Sequence, residues 1–369
     1  MEIVSSLFVC ITVWYLANII WLIYGFTKVK SFESENLQPK TKFSIIVPFR
    51  NEQEDLPKLL QSISLLNYPN DLFEVILVDD GSKEELRITN FKFQIVMVKN
   101  IRVSNSPKKD AINTAIAIAK NDWIITTDAD CLVKENWLNT FDNFIRKNNS
   151  KMIAAGVFYK TNHSFLDAFQ QLDFLSLQGT TIGSFGNEQA FMCNGANFCY
   201  QKTFFYELNG FDGNNKIASG DDVFLLQKAI EKDRNNVNFL KSESVIVRTK
   251  TEKTWKDLFN QRVRWASKTG NYNSFYSKQL GVSVLVMNLF WILGFGFLFL
   301  GIINANCFMF LLFSKFLVDF ILLYKTSTFF KTRLNYLLFG SLLYPLFCVS
   351  VGIYSFFGSY SWKGRIFKK

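Results

Sequence analysis

Apolar residues fall into blocks along the 369 residues of the chain rather than being spread evenly. The first block, Ile3 to Phe26, is almost uninterrupted and is followed by Lys28 and Lys30. A helix needs about 20 apolar residues to cross a bilayer, so this block predicts a transmembrane anchor over 1–27. A signal peptide places positive charge before its apolar region and a small-residue cleavage site after it. Neither pattern is present, and the anchor is expected to be retained. After Tyr276 three more apolar blocks follow, Val282 to Ile303, Phe308 to Tyr324 and Tyr336 to Phe357, which predict a membrane region over 281–358.

Between these regions, over 40–250, the pattern changes to that of a soluble α/β domain. Short apolar runs, Phe43 to Phe49, Phe73 to Asp79, Gln94 to Val98 and Trp123 to Thr127, alternate with helical periodicity at Leu56 to Leu66 and Lys109 to Ala119. Continuous apolar strands separated by amphipathic helices are what a parallel sheet covered on both faces requires. Ligands on such sheets bind beyond the carboxyl ends of the strands. Pro48 to Glu52, Asp79 to Ser82 and Asp128 to Asp130 each follow a strand directly. Trp255 to Tyr276 mixes basic and aromatic residues at helical spacing, which predicts a helix on the membrane surface within 251–280.

Charge refines this layout. The chain carries +10, and its basic residues gather beside apolar blocks: Lys28 and Lys30, then Lys325, Lys331 and Arg333, then Lys363, Arg365, Lys368 and Lys369 in the tail 359–369. The positive-inside bias puts all three groups, and the α/β domain, in the cytoplasm. Three full crossings after Tyr276 cannot return the tail there. The last block, with Pro345 between Gly340 and Gly352, is therefore expected to be a re-entrant or interfacial hairpin. Lys315 and Asp319 share a helix face and are expected to form a structural pair. No nucleic-acid recognition module accompanies the charge.

Composition limits the chemistry. The single histidine, His163, cannot supply a multi-histidine zinc or iron site, and it leaves carboxylates, lysines, arginines and hydroxyls to do any catalysis. Six cysteines without CxxC spacing read as free thiols in a reducing compartment. Forty phenylalanines fit either lipid contact or a genomic bias.

Four clusters carry the candidate chemistry. Asp79, Asp80, Gly81 and Ser82 are either an ordinary turn or a carboxylate site for a base or ribose. Asp128 and Asp130, at a strand end, can divide their work between a ribose and a hard divalent cation bridging diphosphate oxygens. Asp221 and Asp222 either cap a helix or supply a general base. Gln261, Arg264 and Trp265 form Gln-x-x-Arg-Trp, suited to hydrogen-bonding a diphosphate, gripping a phosphate and stacking on an acceptor. A basic helix snorkelling at headgroups is the alternative for this last cluster.

The order Ile-Ile-Val-Pro-Phe-Arg-Asn-Glu (Ile45 to Glu52), Asp79 to Ser82, Lys108 to Asn113, Asp128 to Asp130, Asp221-Asp222 and Gln-x-x-Arg-Trp resembles that of membrane-bound family 2 glycosyltransferases over nearly the whole chain. Ceramide glucosyltransferases and processive polysaccharide synthases are the most similar in flavour. The resemblance implies a GT-A (Rossmann-like) nucleotide-sugar-binding domain flanked by transmembrane helices. It implies that Asp80 contacts the nucleobase, with Pro48 and Glu52 lining the same mouth. Lys108 stands where the family often has a Gly-Lys pair, with Pro107 in place of the glycine. Asp128 would sit near the ribose, Asp130 would hold Mg²⁺ or Mn²⁺, and Asp222 would be the base. Gly220-Asp221 replaces the Thr-Glu of the synthases, which leaves the role of Asp221 open. Asn194, Gly195, Ala196 and Asn197 resemble the acceptor loop, and Trp362 to Arg365 a tail element of non-processive members.

The implied activity is inverting transfer of a sugar from a nucleotide diphosphate sugar, UDP-linked ahead of GDP-linked, to a membrane lipid or lipid-linked glycan. A processive polysaccharide synthase is the alternative within the class. A non-catalytic nucleotide-binding scaffold or transporter is the alternative outside it. The expected location is the plasma or inner membrane.

Overall fold

The computed structural model describes residues 2–84, 91–160, 164–215, 217, 219–357, 360–362 and 365–367. It divides into two compact units. One comprises Val29–Lys160 with Ala190–Lys250; the other comprises Met1–Lys28, Thr161–Gln189 and Thr251–Lys369. The expected single domain over 40–250 is thereby corrected, because Thr161–Gln189 belongs to the helical unit. His163 lies outside the described residues.

With helix α1 (Glu2–Lys28) in the helical unit, the α/β unit begins at β1 (Phe43–Phe49) and α2 (Leu56–Ser64), then β2 (Phe73–Asp79), β3 (Gln94–Lys99), α3 (Pro107–Ile118), β4 (Trp123–Thr126) and α4 (Trp137–Lys147). Next come β5 (Met152–Ala155) and β6 (Val157–Lys160). After α5 (Phe165–Gly186) of the other unit, β7 (Phe198–Gln201), α6 (Lys202–Glu207), α7 (Asp221–Asp233), β8 (Val237–Leu240) and β9 (Val247–Lys250) complete it. Seven strands form one sheet in the order β3-β2-β1-β4-β7-β5-β8. Strands β3, β2, β1 and β4 are parallel neighbours, whereas β7 runs antiparallel to both β4 and β5. The sheet is therefore mixed rather than wholly parallel.

Side chains of β1 and β2 are buried almost throughout, as strands covered on both faces must be. In α2, Leu56, Leu59, Leu60 and Ile63 repeat at helical spacing and are all buried. Pro48 sits in a central strand, where a missing N–H normally costs a ladder bond. It is tolerated because β4 pairs with β1 only as far as Ile46, opposite Thr126. The chain also reverses direction around β1, passing to β2 on one side and β4 on the other. Such a switch point opens a crevice at the strands' carboxyl ends.

The helical unit holds α1, α5, α8 (Trp255–Ala266), α9 (Phe275–Phe299), α10 (Ala305–Phe330), α11 (Leu337–Phe357) and the short antiparallel pair β10 (Tyr360–Trp362) and β11 (Arg365–Phe367). Helices α1, α9, α10 and α11 are long and apolar enough to cross a membrane. Helices α1 and α5 approach backbone to backbone. A Cβ at Gly183 would overlap the Leu22 carbonyl, and one at Gly186 the Gly25 carbonyl. Small residues allow this packing, which is a common way for helices to associate in lipid. Asn187 then donates to the Trp21 carbonyl at 2.6 Å.

Lys315 and Asp319 pair within α10 at 2.7 Å, as their spacing predicts. Tyr15 of α1 donates to the same carboxylate at 2.6 Å, so the pair also ties two helices together. Residues 337–357 form one helix with Pro345 inside it, not the expected hairpin. On α11, Cys348 meets Asn288 and Gly352 meets Leu285 of α9, so rising numbers on one helix face falling numbers on the other. Phe259 of α8 packs against both Phe347 and Tyr354. The C-terminal half of α11 thus heads towards the end from which α9 starts, and β10 lies beside α8.

Candidate active site

The carboxyl ends of the central strands gather the expected acidic residues of the α/β unit. Gly81, at φ 79°, turns the chain after β2, and Asp79 accepts from the Ser82 amide at 2.8 Å. This is the ordinary turn chemistry of Asp-Asp-Gly-Ser, and it leaves Asp80 projecting into a cationic environment. Asn100 donates to Asp80 Oδ1 at 2.7 Å and Arg102 at 3.3 Å, while Arg50 stands 3.9 Å from Oδ2. Arg102 also bridges to Asp110 of α3 at 3.4 Å. Pro48 is half-buried at the end of β1, and the Glu52 carbonyl accepts from the Asp55 and Leu56 amides, which fixes the turn into α2.

Four separate segments meet around Lys108. Pro107 begins α3, where its missing N–H costs nothing. The adjacent Lys108 ammonium then lies 2.6 Å from Asp128 Oδ1 and 3.5 Å from Asp221 Oδ2. Burial pulls the Lys108 pKa down, but Asp128 and Asp221, with Asp222 behind them, outweigh it and push it well above the usual lysine value. Lys108 is therefore a fixed cation and not a proton donor near neutral pH.

Asp222 is held from both sides. Its Oδ2 accepts from the Gly195 amide at 2.9 Å and its Oδ1 from the Val223 amide at 2.7 Å, at the start of α7. Gly220 supplies the left-handed backbone, φ 85°, that turns the acidic pair into the helix. A Cβ on Gly195 would lie 3.0 Å from Asp221 Oδ2 and 3.4 Å from the Asp222 Cβ, so glycine is what lets this loop reach the pair. Thr126, the last residue of β4, donates to the Gly195 carbonyl at 2.6 Å and fixes that loop to the sheet.

Asn194 uses its side chain locally, accepting from the Ala196 amide at 3.0 Å. Asn197 departs from the acceptor role implied for it. It is fully buried and accepts from the Trp137 indole at 3.0 Å. Its amide donates to the carbonyls of Gly156 at 2.8 Å and Val245 at 2.7 Å. Its hydrogen-bonding groups are thus spent on joining four segments. Asn197→Ala is expected to destabilise the α/β unit by about 2–5 kcal/mol, because three partners lose their bond. Thermal unfolding of the purified variant checks this.

Asp130 lies beside β9, with Thr249 donating to its Oδ2 at 3.3 Å. Cys131 is next to it, at 3.8 Å from Sγ to Oδ1. Burial, followed by the charges of Asp130 and Asp128, raises the Cys131 pKa well above the thiol range. The carboxylates of Asp128 and Asp130 are hard oxygen donors, which suit Mg²⁺ or Mn²⁺. Among the described residues no three His, Cys, Asp or Glu side chains gather into a cage. A cation that keeps waters and uses one or two carboxylates needs none.

In the helical unit, Gln261, Arg264 and Trp265 all lie on α8 as expected. Neighbours that the motif does not include hold two of them. Gln261 donates to Glu252 Oε1 at 2.5 Å and accepts from Arg262. The Arg262 guanidinium stacks over the Trp265 ring at 4.3 Å and donates to Asp173 of α5 at 2.5 Å. Burial, then the Asp257 charge, raises the Glu252 pKa, while Arg264 and Arg262 pull it down. Sequence reading missed Arg262, Asp173 and Glu252, since only α5 lying against α8 gives them meaning.

Comparison with known proteins identifies the class. Residues 44–208 match the model of Glycosyl transferase family 2, so the chain carries a domain of that family. A probable glycosyltransferase, YdaM, of Bacillus subtilis is 24% identical over 260 residues, covering 66% of this chain and 60% of that protein. An undecaprenyl-phosphate 4-deoxy-4-formamido-L-arabinose transferase of Proteus mirabilis is 30% identical over 153 residues, covering 34% of this chain and 46% of its own. The chain thus spans less than two thirds of either relative. Among solved structures, the mannosyltransferase PcManGT from Pyrobaculum calidifontis, in complex with GDP-Man and Mn²⁺, matches with a TM-score of 0.56 and 13% identity. The match covers 96% of this chain and 99% of that one, and supports the GT-A-like fold.

Proposed function

We propose that this protein is an inverting, metal-dependent glycosyltransferase that moves a sugar from a nucleotide diphosphate sugar to a hydroxyl of a membrane lipid or lipid-linked glycan. The observation that carries the reading is the assembly of Lys108, Asp128, Asp221, Asp222 and Gly195 at the sheet's carboxyl edge, within a family 2 domain. Asp222 takes the acceptor proton as the acceptor oxygen bonds to the anomeric carbon and the bond to the diphosphate oxygen breaks on the opposite face. The Gly195 and Val223 amides keep its carboxylate in one orientation throughout. Asp80 is the proposed acceptor for a base N–H.

Asp130 would hold a divalent cation, with Asp128 near the ribose, and the cation when bound stabilises charge on the leaving diphosphate. The roles implied for Gln261, Arg264 and Trp265, on the diphosphate and the acceptor, belong to the same proposal and rest on the motif. A lipid acceptor is supported by the four helices among the described residues that are long and apolar enough for a membrane and by the undecaprenyl-phosphate named for the Proteus relative.

Full-length protein in detergent, supplied with UDP- and GDP-sugars, is expected to release nucleoside diphosphate from one donor. Chelation with EDTA should abolish release, and Mg²⁺ or Mn²⁺ should restore it. Full activity in EDTA would remove the metal from the proposal.

A further inference from the structure

Helix α8 presents Gln261 and Trp265 four residues apart, and both are gripped by the residue between them. Arg262 is buried, yet it is surrounded by more than one partner: its Nε donates to Asp173 Oδ2 at 2.5 Å, its Nη1 to Gln261 Oε1, and its guanidinium plane lies 4.3 Å from the Trp265 ring. Asp173 is itself buried on α5. The face of Trp265 is further supported by Phe174, with ring centroids 6.1 Å apart. On its other side Gln261 is fixed by Glu252, at 2.5 Å. The Glu252 backbone is in turn bound at both its N–H and C=O by Gln170 of α5, at 2.8 and 3.0 Å. Two turns of α5 therefore set the geometry of two residues on α8.

We infer that Arg262, anchored by Asp173, is the positioning residue of this protein's Gln-x-x-Arg-Trp segment, fixing the Gln261 amide and the Trp265 ring for their work on the substrates. A planar guanidinium serves two edges and a face at once; an ammonium serves one point. The buried charge of Arg262 is matched by Asp173, so the device sits in the folded unit without an uncompensated ion. The inference rests on the proposed role of the segment in sugar transfer.

The test uses the full-length protein in detergent, with its eight tryptophans replaced by 5-fluorotryptophan. Loss of one ¹⁹F resonance in Trp265→Phe assigns that ring. Arg262→Lys keeps a charge facing Asp173, and Asp173→Asn keeps the side-chain volume. Both are expected to move the Trp265 resonance. Release of nucleoside diphosphate from the active donor should fall about ten- to hundredfold in kcat, with donor KM nearly unchanged. The losses from Arg262→Lys and Gln261→Ala should not add in the double variant, since both disable one arrangement. An unmoved resonance, or additive losses, would overturn the inference. A moved resonance with full turnover in Arg262→Lys, Gln261→Ala and Arg264→Ala would instead leave the positioning intact and refute the segment's role in transfer.

Discussion

Asp222→Asn is expected to lower sugar transfer by about a thousandfold while donor KM changes little. General-base catalysis is worth about 10² to 10⁴ in rate, and an amide cannot take the acceptor proton. The loss should fall on kcat because the base acts in the transition state and not in donor binding. Asparagine is nearly isosteric, but it cannot accept from both the Gly195 and the Val223 amides. One of those N–H groups loses its partner, which costs about 1–3 kcal/mol of stability. The variant should therefore fold, with a lower unfolding temperature, and be almost inactive. Steady-state release of nucleoside diphosphate, measured beside thermal unfolding, separates these effects. Turnover near that of the unmodified protein would remove Asp222 from the base role.

The second large effect concerns stability. Gly183→Ala is expected to destabilise the helical unit by about 3 kcal/mol, because its methyl group would overlap the Leu22 carbonyl and two helix backbones must separate. In a protein of this size that corresponds to a fall of about 4 °C in unfolding temperature. Gly281→Ala, on α9 where nothing lies within 4 Å of the new Cβ, is the control. It should be neutral or slightly stabilising, since alanine is the better helix former. Size-exclusion profiles after a temperature series distinguish the two. Equal behaviour would mean that α1 and α5 are not in close contact in the folded protein.

Much of the fold is legible in the sequence wherever elements are long or fully buried. Phe43–Phe49 and Phe73–Asp79 form strands with the bounds that their apolar runs predict. Strands β5, β7 and β8 have four residues each, too few to show a period. The reversal of β7 is a tertiary choice with no local signature. Helix α5 lies within 40–250 yet belongs to the helical unit, and no local signature shows this. Its glycines mark it as a packing surface, but they do not say which helix it packs on.

The site divides in the same way. Asp79, Asp80, Asp128 and Asp130 were readable as strand-end residues because the apolar runs Phe73 to Asp79 and Trp123 to Thr127 stop there. The grip of Gly195 on Asp222 and the saturation of Asn197 were not, because both depend on residues far apart in sequence. Arg262 sits at an unspecified position of the Gln-x-x-Arg-Trp motif. Its importance comes from Asp173, 89 positions away.

Transfer of radiolabelled sugar is the most direct measurement. Full-length protein in detergent is given labelled UDP- or GDP-sugars and a bacterial lipid extract, and the organic phase is counted. Label should enter the lipid fraction from one donor as a single added sugar. That signal should disappear in Asp222→Asn and in EDTA. Binding of a nucleotide sugar with neither label transferred nor nucleoside diphosphate released would contradict the enzyme and leave a nucleotide-binding membrane protein in its place.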